Sequence, residues 1–515
     1  MHWPGNINQM NSAPSTLWEL LQLAPDDSIA IVSPETGITL TYGELRTQVR
    51  AAADVFASAG IRPGDRVAIA LPNGIPVLIC FLAASIAGTA APLNLAYRHD
   101  EFVFYLGDTQ AKLLIVPEEG GDVARTAAGD AIPVLTASLT ASLSGGTLVL
   151  AGAPAPSATA ADPTPEQFAL ILHTSGSTGR PKRVPIPHRN LAVSAANIAA
   201  HYELTAQDVS LCVMPLFHVH GLVASVLATL YSGGRIIVPG KFNALSFWRT
   251  VRDFGATWYS AVPTIHQVLL TRAGGQRPDG AQSLRFIRSC SAPLSAVHMG
   301  QMEEVFGVPV LEAYGMTEAA HQMASNPLPP HARKPGTVGR ATGMDIGIMD
   351  TEGNIQPSGT AGEVVIRGAS VVTGYENNPE ANETSFVNGW FRTGDQGIID
   401  EGGYLKLVGR LKEMINRAGE KISPLELDDF LATHPAVAEA VCFGVPHPSL
   451  GEEVAAAVTL KPDATATEAE LIAYCKERLA DFKRPRKIHI VDVIPRTATG
   501  KIQRRVVAAA FTPAS

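Results

Sequence analysis

A short apolar run followed at once by a loop rich in glycine, serine and threonine most constrains how this sequence can fold. Residues 168–172 have the length and character of a buried strand, and the loop after them leads to Lys182. Glycines let a backbone turn bring its N–H groups close to an anion, and hydroxyls and an ammonium group add donors. The loop therefore predicts a phosphate site in preference to a flexible connector, although its spacing is not that of a Walker A loop. The candidate residues are Thr174, Ser175, Gly176, Ser177, Thr178, Gly179 and Lys182.

A second candidate site follows a predicted strand at residues 308–313, where a Tyr-Gly-Met-Thr-Glu motif runs from Tyr314 to Glu318. Ligands of open α/β sheets bind at the carboxyl ends of strands, which is where this hydroxyl and carboxylate would lie. Magnesium prefers carboxylate and phosphate oxygens, so Glu318 is a candidate metal ligand beside a nucleotide. Taken alone, Glu318 could equally be a charge at a helix N-terminus.

Two further motifs have ordinary structural interpretations when each is taken alone. Residues 390–395 end in Thr-Gly-Asp, which predicts a turn at Asp395, and Arg410 follows further along the chain. Residues 495–501 end in a glycine and Lys501, and such a lysine is usually solvated. A carboxylate and an arginine can nevertheless bind the two hydroxyls of a ribose, and a lysine can stabilise charge that develops at phosphorus.

Together, and in this order, the four motifs resemble those of the acyl-activating, adenylate-forming superfamily, which includes acyl-CoA synthetases, adenylation domains and luciferases. One departure is Arg183, where the family most often has glycine. The resemblance implies that Thr317 contacts phosphate, that Glu318 binds Mg²⁺ and that Tyr314 lies against adenine.

The same resemblance implies a reaction in two halves. A carboxylate attacks the α-phosphorus of ATP to give an acyl-adenylate and pyrophosphate, and the thiol of CoA then displaces AMP. Asp395 would bind the ribose hydroxyls, and Arg410 would bind ribose or phosphate. Lys501 would reach from a small domain to hold the substrate carboxylate. It would share the neutralisation of charge with Lys182 and with Glu318 and its Mg²⁺.

In this superfamily the small domain rotates between the half-reactions. The hinge matches Lys412, and the loop that faces the pantetheine of CoA matches Gly419, Glu420 and Lys421. ATP, Mg²⁺ and coenzyme A are therefore the predicted cofactors. A nearby basic cluster either meets CoA phosphates or is an ordinary basic surface, and the sequence favours neither. The basic cluster consists of Lys483, Arg484, Arg486 and Lys487.

Residues 215–221 match the superfamily's acid-pocket motif, with His218 as its usual histidine. Several other pocket positions are polar where ligases for long-chain and aromatic acids tend to have apolar or small residues. An acyl tail would leave such groups without partners, at a cost of about 1–3 kcal/mol each. A small acid with a second polar or charged end would satisfy them instead. The polar candidates are His220, Ser289, Cys290, Ser291 and His321.

Three segments resemble one branch of the superfamily, the oxalate–CoA ligases. They are residues 256–267, 285–292 and 317–321. We therefore predict oxalate as the acid, with Ser289 and His321 as the first contacts of its distal carboxylate. His218 and His220 are the second choices. His220 and His266 could equally be satisfied polar residues of the core.

Other functions fit parts of the pattern. A CoA ligase for another small, fatty or aromatic acid would keep the four motifs. A stand-alone amino-acid adenylation enzyme would ordinarily have an aspartate for the amine, and the strand that carries Tyr259 and Ala261 has none. A nucleotide-binding regulator on the same fold would be favoured by loss of Lys501 or Glu318, and both are present.

Composition and charge exclude several classes of protein. A net charge of −8 argues against a nucleic-acid or anionic-membrane binder. The 5 scattered cysteines include no CxxC pair, which fits a reducing compartment and neither a disulfide framework nor a zinc site. Neither a signal peptide nor a peroxisomal address is apparent. We therefore expect a cytoplasmic protein whose partners are small molecules: a dicarboxylic acid, ATP and CoA.

Alternating helical and strand-like patterns predict a large N-terminal α/β domain at residues 1–411. It would hold two doubly wound subdomains and, from 336 to 409, a smaller β-rich subdomain. Residues 67–97 carry no formal charge, but prolines and glycines divide them into strand, helix and strand, which argues against a membrane span. Residues 122–165 are predicted to be surface connection with some short structure and no chemistry. Residues 412–515 are predicted to form a small, mobile α+β domain.

Overall fold

The computed structural model describes residues 13–142, 145–174, 181–496 and 502–511. Within these residues the two largest sheets have parallel centres, and helices lie in the connections between their strands. The predicted α/β fold class, with large N-terminal and small C-terminal parts, is therefore confirmed. No helix in the described ranges is long and apolar enough to cross a membrane.

The seven-stranded sheet leads into the predicted phosphate loop. Its central strands run parallel, and its two outermost strands are antiparallel to their neighbours. The central strands are apolar because both faces of a parallel sheet are covered. From edge to edge the strands are Gly145–Ala151, Val134–Ser142, Ala111–Pro117, Arg66–Ile69, Thr89–Pro92, Phe168–Thr174 and Lys182–Pro187.

The nine-stranded sheet carries the predicted acid pocket at the carboxyl ends of its central parallel strands. Antiparallel strands close both of its edges. From edge to edge the strands are Arg340–Ala341, His321–Ser325, Val310–Met316, Phe286–Ser289, Trp258–Ala261, Val209–Cys212, Arg235–Ile237, Ile29–Val32 and Thr39–Thr41.

Helices connect these strands. Thr41 and Glu44 form a capping box at the start of Tyr42–Ser58. The helix Ile75–Ala87 is buried almost entirely, which explains why residues 67–97 lack charge without spanning a membrane. The other α-helices of the large part are Leu17–Leu21, His99–Asp108, Asp122–Ala128, His188–His201, Ala228–Tyr231, Phe247–Phe254, Pro263–Ala273, Ala296–Phe306 and Pro379–Ser385. A π-helical segment covers His220–Leu227, and short 3₁₀-helical turns cover Ala281–Ser283 and Thr317–Ala319.

Two five-stranded sheets complete the described chain. The first is the predicted β-rich subdomain, built from Asp345–Met349, Ala361–Arg367, Trp390–Ile399, Phe386–Val387 and Leu405–Arg410. The second lies in the C-terminal part and comprises Glu420–Ile422, Ile415–Arg417, Gly451–Leu460, Val437–His447 and Lys487–Ile490. The tight turn Leu411–Glu413 joins the two regions. Helical segments of the C-terminal part are Pro424–Ala432, Glu468–Arg478, Asp481–Lys483 and Arg504–Phe511.

Two local predictions need correction. Residues 122–165 are not mainly surface connection with some short structure, because Val134–Ser142 and Gly145–Ala151 form a paired edge of the seven-stranded sheet. Their alanines, serines and threonines hid the alternation that usually marks a strand. The Thr-Gly-Asp motif is not an isolated turn either. It lies inside the strand Trp390–Ile399, where Gly394 has φ of +76° and the pairing register shifts. An irregular strand of this kind uses the same residue types as a turn, which explains the wrong prediction.

Candidate active site

The base of the phosphate loop is closed by strand pairing. Thr174 lies opposite Lys182 in the antiparallel ladder, so the two ends of the loop meet across the sheet. Ser175, Gly176, Ser177, Thr178 and Gly179 lie outside the described residues, and so does Lys501. Their predicted roles therefore stay predictions.

Glu318 lies beside this loop base and is buried. Its Oε1 atom accepts a hydrogen bond of 2.9 Å from the Tyr375 hydroxyl and one of 3.5 Å from Thr174 Oγ1. Burial raises the pKa of Glu318, whereas nearby Lys182 acts to lower it. The Lys182 ammonium lies 4.4 Å from the centroid of the Tyr375 ring, and desolvation lowers its pKa. The structure thus brings Thr174, Lys182 and Glu318 together as the motifs predict.

Tyr375 was missed by sequence reasoning. It is an aromatic residue after a glycine and stands outside all four motifs, so no local signal marked it. Its position is fixed by Asn382, whose side chain accepts from the Tyr375 N–H and donates to its carbonyl.

Tyr314, Asp395 and Arg410 form a second group, where the resemblance places the adenosine. The Tyr314 hydroxyl donates to Asp395 Oδ2, and Arg410 Nε lies 3.1 Å from Asp395 Oδ1. Strand pairing sets Asp395 directly opposite Arg410. The Asp395 carboxylate raises the pKa of Arg410, so this arginine keeps its charge. Thr317 is also buried, in the tight turn that links Tyr314 to Glu318.

Gly315 joins the nucleotide motif to the acid pocket. A Cβ atom at this position would lie 2.1 Å from the His321 carbonyl oxygen, so only glycine permits this approach. His321 itself has φ of +114° and Ala320 has φ of +50°. Strained backbone of this kind persists where the surrounding structure enforces it, and it concentrates at functional sites.

His220 begins a π-helical turn, His220–Leu227, and is buried. Its Nε2 atom lies 2.6 Å from Ser260 Oγ, and its Nδ1 atom lies 2.9 Å from Ser291 Oγ. The His220 and His321 rings are stacked, with centroids 5.4 Å apart. The structure therefore brings His220, Ser291 and His321 together, at the carboxyl ends of the central strands.

Arg288 lies beneath these two histidines and was not predicted as a site residue. Its side chain is fully buried. One terminal nitrogen lies 2.9 Å from Ser260 Oγ and 3.4 Å from His220 Nε2. The other lies 3.2 Å from His321 Nε2. A charged residue inside a strand of the core was the available signal, because arginine is almost never fully buried unless it is paired.

The remaining predicted acid contacts lie elsewhere. Alternation along Phe286–Ser289 directs Ser289 to the face opposite Arg288, and its buried hydroxyl has no hydrogen-bond partner in the part of the chain that the structure describes. His218 lines a small cavity of about 30 Å³ with His173 and Phe217. Cys290 is fully buried, which argues against ready attack by thiol reagents. The ligand roles of Ser289, His218 and Cys290 stay predictions.

His266 has the character of a core residue. Burial lowers its pKa to about 3, so it is neutral at physiological pH. Its Nδ1 atom lies 3.3 Å from the Tyr259 hydroxyl.

Comparison with known proteins decides the family. The profile described as AMP-binding enzyme matches residues 19–376, and the profile described as AMP-binding enzyme C-terminal domain matches residues 426–501. This chain belongs to the AMP-binding enzyme family. The resemblance to adenylate-forming enzymes is thereby confirmed.

Relatives of this AMP-binding enzyme are similar over nearly their whole length. It is 50% identical to an oxalate–CoA ligase of Arabidopsis thaliana over 484 residues, which cover 92% of this chain and 93% of the relative. It is 41% identical to an oxalate–CoA ligase of Saccharomyces cerevisiae, over 95% of this chain and 96% of that protein. The crystal structure of ATP-bound MatB from Rhodopseudomonas palustris has a TM-score of 0.87 and 31% identity, covering 97% of this chain and 99% of that one.

The predicted CoA loop of this AMP-binding enzyme is the exposed tip of a hairpin. Ala418 and Gly419 both have positive φ, as a tight two-residue turn requires, and Glu420 and Lys421 follow in the return strand. Lys412 is exposed in the tight turn directly after Arg410.

The basic cluster is already paired with acids. Lys483 contacts Glu426, Arg484 and Arg486 contact Asp481, and Lys487 contacts Glu468. A surface ion pair contributes little stability, so these contacts can exchange for phosphate. The pairing nevertheless favours the interpretation as an ordinary basic surface.

Proposed function

We propose that this protein is an ATP- and CoA-dependent oxalate ligase, which converts oxalate, ATP and CoA into oxalyl-CoA, AMP and diphosphate. The observation that carries the proposal is the polar cluster formed by His220, Ser291 and His321, which we take as the lining of the acid pocket. It is polar, lies within the protein and is joined to Glu318 by the short segment that precedes His321. Two relatives that match more than nine-tenths of the chain are oxalate–CoA ligases, which supports the same acid.

The chemistry of the pocket favours a small dianion. An apolar tail would lie against two imidazoles and a hydroxyl, and it offers polar groups of this kind no hydrogen bond. A second carboxylate supplies acceptor oxygens for the same groups. The carboxylate that reacts would lie nearer Glu318 and the loop base, and the distal one nearer the two histidines.

In the first half-reaction one carboxylate oxygen attacks the α-phosphorus of ATP and pyrophosphate leaves. Lys182 would hold phosphate oxygens from the base of the loop, and Asp395 and Arg410 would bind the ribose. Tyr314 would lie against the adenine, and Thr317 would contact phosphate. These groups act by position and charge, which is the main requirement of phosphoryl and nucleotidyl transfer.

Magnesium fits the oxygen donors near Glu318. The described residues contain no group of three or more His, Cys, Asp or Glu side chains that could hold a metal alone. A buried carboxylate with two neighbouring hydroxyls therefore suits a hard cation that takes its other ligands from phosphates and water. When bound, the ion would neutralise part of the triphosphate charge.

The second half-reaction would use the small domain, which we place at residues 412–515 with its hinge at Lys412. Lys501 would serve the first step and leave when this domain turns. The hairpin tip at Gly419, Glu420 and Lys421 would then face the pantetheine, whose thiol attacks the acyl carbon and expels AMP. The cytoplasm stays the predicted compartment, because all the cysteines are free thiols.

The test is AMP formation with ATP, Mg²⁺ and CoA across oxalate, malonate, acetate, octanoate and 4-coumarate. We expect a rate with oxalate far above the others. Preference for octanoate or coumarate would keep the family and overturn the interpretation of the polar pocket. Lys501→Ala should lose adenylate formation, and a wild-type rate in this variant would refute its catalytic role.

A further inference from the structure

Arg288 is the buried charge that the proposed mechanism does not use. Its guanidinium contacts Tyr202, Ser260 and Gln322 as well as the two pocket histidines. Every one of these partners is neutral or can be neutral, and none is a carboxylate. Buried arginines are ordinarily paired with an anion, because removing a lone charge from water is costly. Among the residues that the structure describes Arg288 has no such anion, so its charge remains to be balanced by an anion that arrives from outside.

The first arm of the network fixes the proton of His321. Arginine has only N–H donors, so its terminal nitrogen at 3.2 Å must donate to His321 Nε2. That nitrogen is then an acceptor, and the ring proton resides on Nδ1.

The second arm fixes the proton of His220 through Ser260. Arg288 donates to Ser260 Oγ at 2.9 Å and to His220 Nε2 at 3.4 Å, so Nε2 is an acceptor and the Ser260 hydroxyl donates to it at 2.6 Å. The His220 proton is therefore on Nδ1 and is donated to Ser291 Oγ at 2.9 Å. Because Ser291 Oγ accepts from His220, the hydroxyl hydrogen of Ser291 points to a further acceptor. Each arm therefore begins at the Arg288 guanidinium and ends at a hydrogen-bond donor: the Nδ1–H of His321 in the first and the hydroxyl of Ser291 in the second.

The backbone holds these groups in unusual conformations. His220 begins a π-helical turn, and His321 and Ser291 have φ of +114° and +73°. Such segments cost stability and occur frequently at functional sites. Their coincidence on three residues of one network argues against a network that serves only to fill the core.

We infer that Arg288 is the positioning residue that makes this pocket select a dianion. This inference rests on the proposed function. Arg288 does not touch the substrate, because its donors are taken by its neighbours. It orients His321 directly and, through Ser260 and His220, it orients Ser291, so that these groups lie around the place proposed for the distal carboxylate of oxalate. It also supplies the positive field that the second negative charge of oxalate neutralises, and a monoanion of the same size leaves that charge unbalanced.

The test compares oxalate with oxamate, which has the same size and one carboxylate but a neutral amide at its distal end. Arg288→Gln should lower kcat/KM for oxalate about 100-fold or more, as for loss of one partner of a buried charge pair, and should change oxamate less than about 5-fold. The matched control is Arg285→Gln on the same chain segment, where Arg285 pairs with Asp208 outside the pocket. It should retain the wild-type oxalate-to-oxamate ratio.

Ser260→Ala keeps the test decisive if Arg288→Gln does not fold. It removes one hydroxyl from the second arm and should lower the oxalate-to-oxamate ratio about 10-fold, with ATP binding unchanged. Equal losses with both acids in both variants would show that the network only supports the fold, and the inference would be wrong. Absence of oxalate turnover in the wild-type enzyme would instead refute the proposed function.

Discussion

The proposed nucleotide site and the proposed acid pocket differ in how their charges are paired. In the nucleotide site Arg410 pairs with Asp395, and Lys182 lies close enough to Glu318 to affect its pKa. In the proposed acid pocket the contacts of the Arg288 guanidinium within the described ranges are all with groups that carry no negative charge. A large nucleotide can be held by many contacts, so its site can be balanced in advance. A dianion of a few atoms can make few contacts. The charge of a cation that has no anionic partner then strengthens its binding.

The strongest way to break this comparison is to remove charge from the nucleotide site. Glu318→Gln keeps the shape and a hydrogen-bond acceptor for Tyr375 but loses the charge. We expect ATP–pyrophosphate exchange with oxalate to fall about 10²–10³-fold, as for loss of one preorganised electrostatic group. Glu303→Gln, which removes a carboxylate paired with Arg333 away from the site, is the control and should stay near the wild-type rate. Exchange within tenfold of wild type in Glu318→Gln would show that this carboxylate is not needed.

A smaller effect separates the two sites from each other. Asp395→Asn weakens its contacts with Tyr314 and Arg410. The KM for ATP should rise about 30-fold, because Asp395, the buried member of the charge pair proposed to bind the ribose, is neutralised. The oxalate-to-oxamate ratio should not change, since the acid pocket is untouched. Steady-state kinetics with both acids measure the two quantities, and a changed ratio would show that the sites are not independent.

Glu312 sharpens the comparison because it is a buried acid that can give up its charge. Burial raises its pKa from 4.5 to about 8, so it is mostly protonated at neutral pH, whereas an arginine cannot shed its proton. The folded state binds this proton more tightly than the unfolded state does. Stability is therefore greatest below the unfolded pKa and is lost as pH rises from about 4.5 to about 8.

Glu312→Gln should abolish that loss, which has a slope of up to roughly 1.4 kcal/mol per pH unit in this window. The variant should melt at the wild-type temperature near pH 4.5 and above it at pH 8. Thermal unfolding at several pH values measures the difference. An equal shift at every pH would mean that the effect is one of packing.

The smallest expected effect concerns the basic cluster. Replacing Lys483 and Arg484 by glutamine should raise the KM for CoA less than about 3-fold, because both are already paired with acids at the surface. A rise above tenfold that disappears with dephospho-CoA would show instead that the cluster binds CoA phosphate.

The residues of the proposed nucleotide site could be predicted because they lie in short, contiguous sequence motifs. Thr174, Lys182, Tyr314 and Glu318 each stand within a few residues of a strand end, where a ligand site is expected. Tyr375 was not predictable, since it enters from a distant loop and has no motif of its own.

The acid pocket was predictable only in part. His220, Ser291 and His321 were named because polar residues are conspicuous in a pocket that usually holds apolar groups. Ser289 was named with them, but alternation places it on the other face of its strand. Arg288 was overlooked because its partners come from four separate segments, and contacts of that kind are set by the topology of the sheet.

The contact between Gly315 and His321 constrains how the specificity of this enzyme can be altered. Gly315 of the nucleotide motif lies directly against the backbone of His321 in the proposed acid pocket. The two proposed substrate sites therefore depend on the same close main-chain contact. Any side chain at position 315 would damage both sites at once. Redesign toward a different acid therefore has to change the side chains at positions 220, 288, 291 and 321. Gly315 and the main chain around it have to be kept.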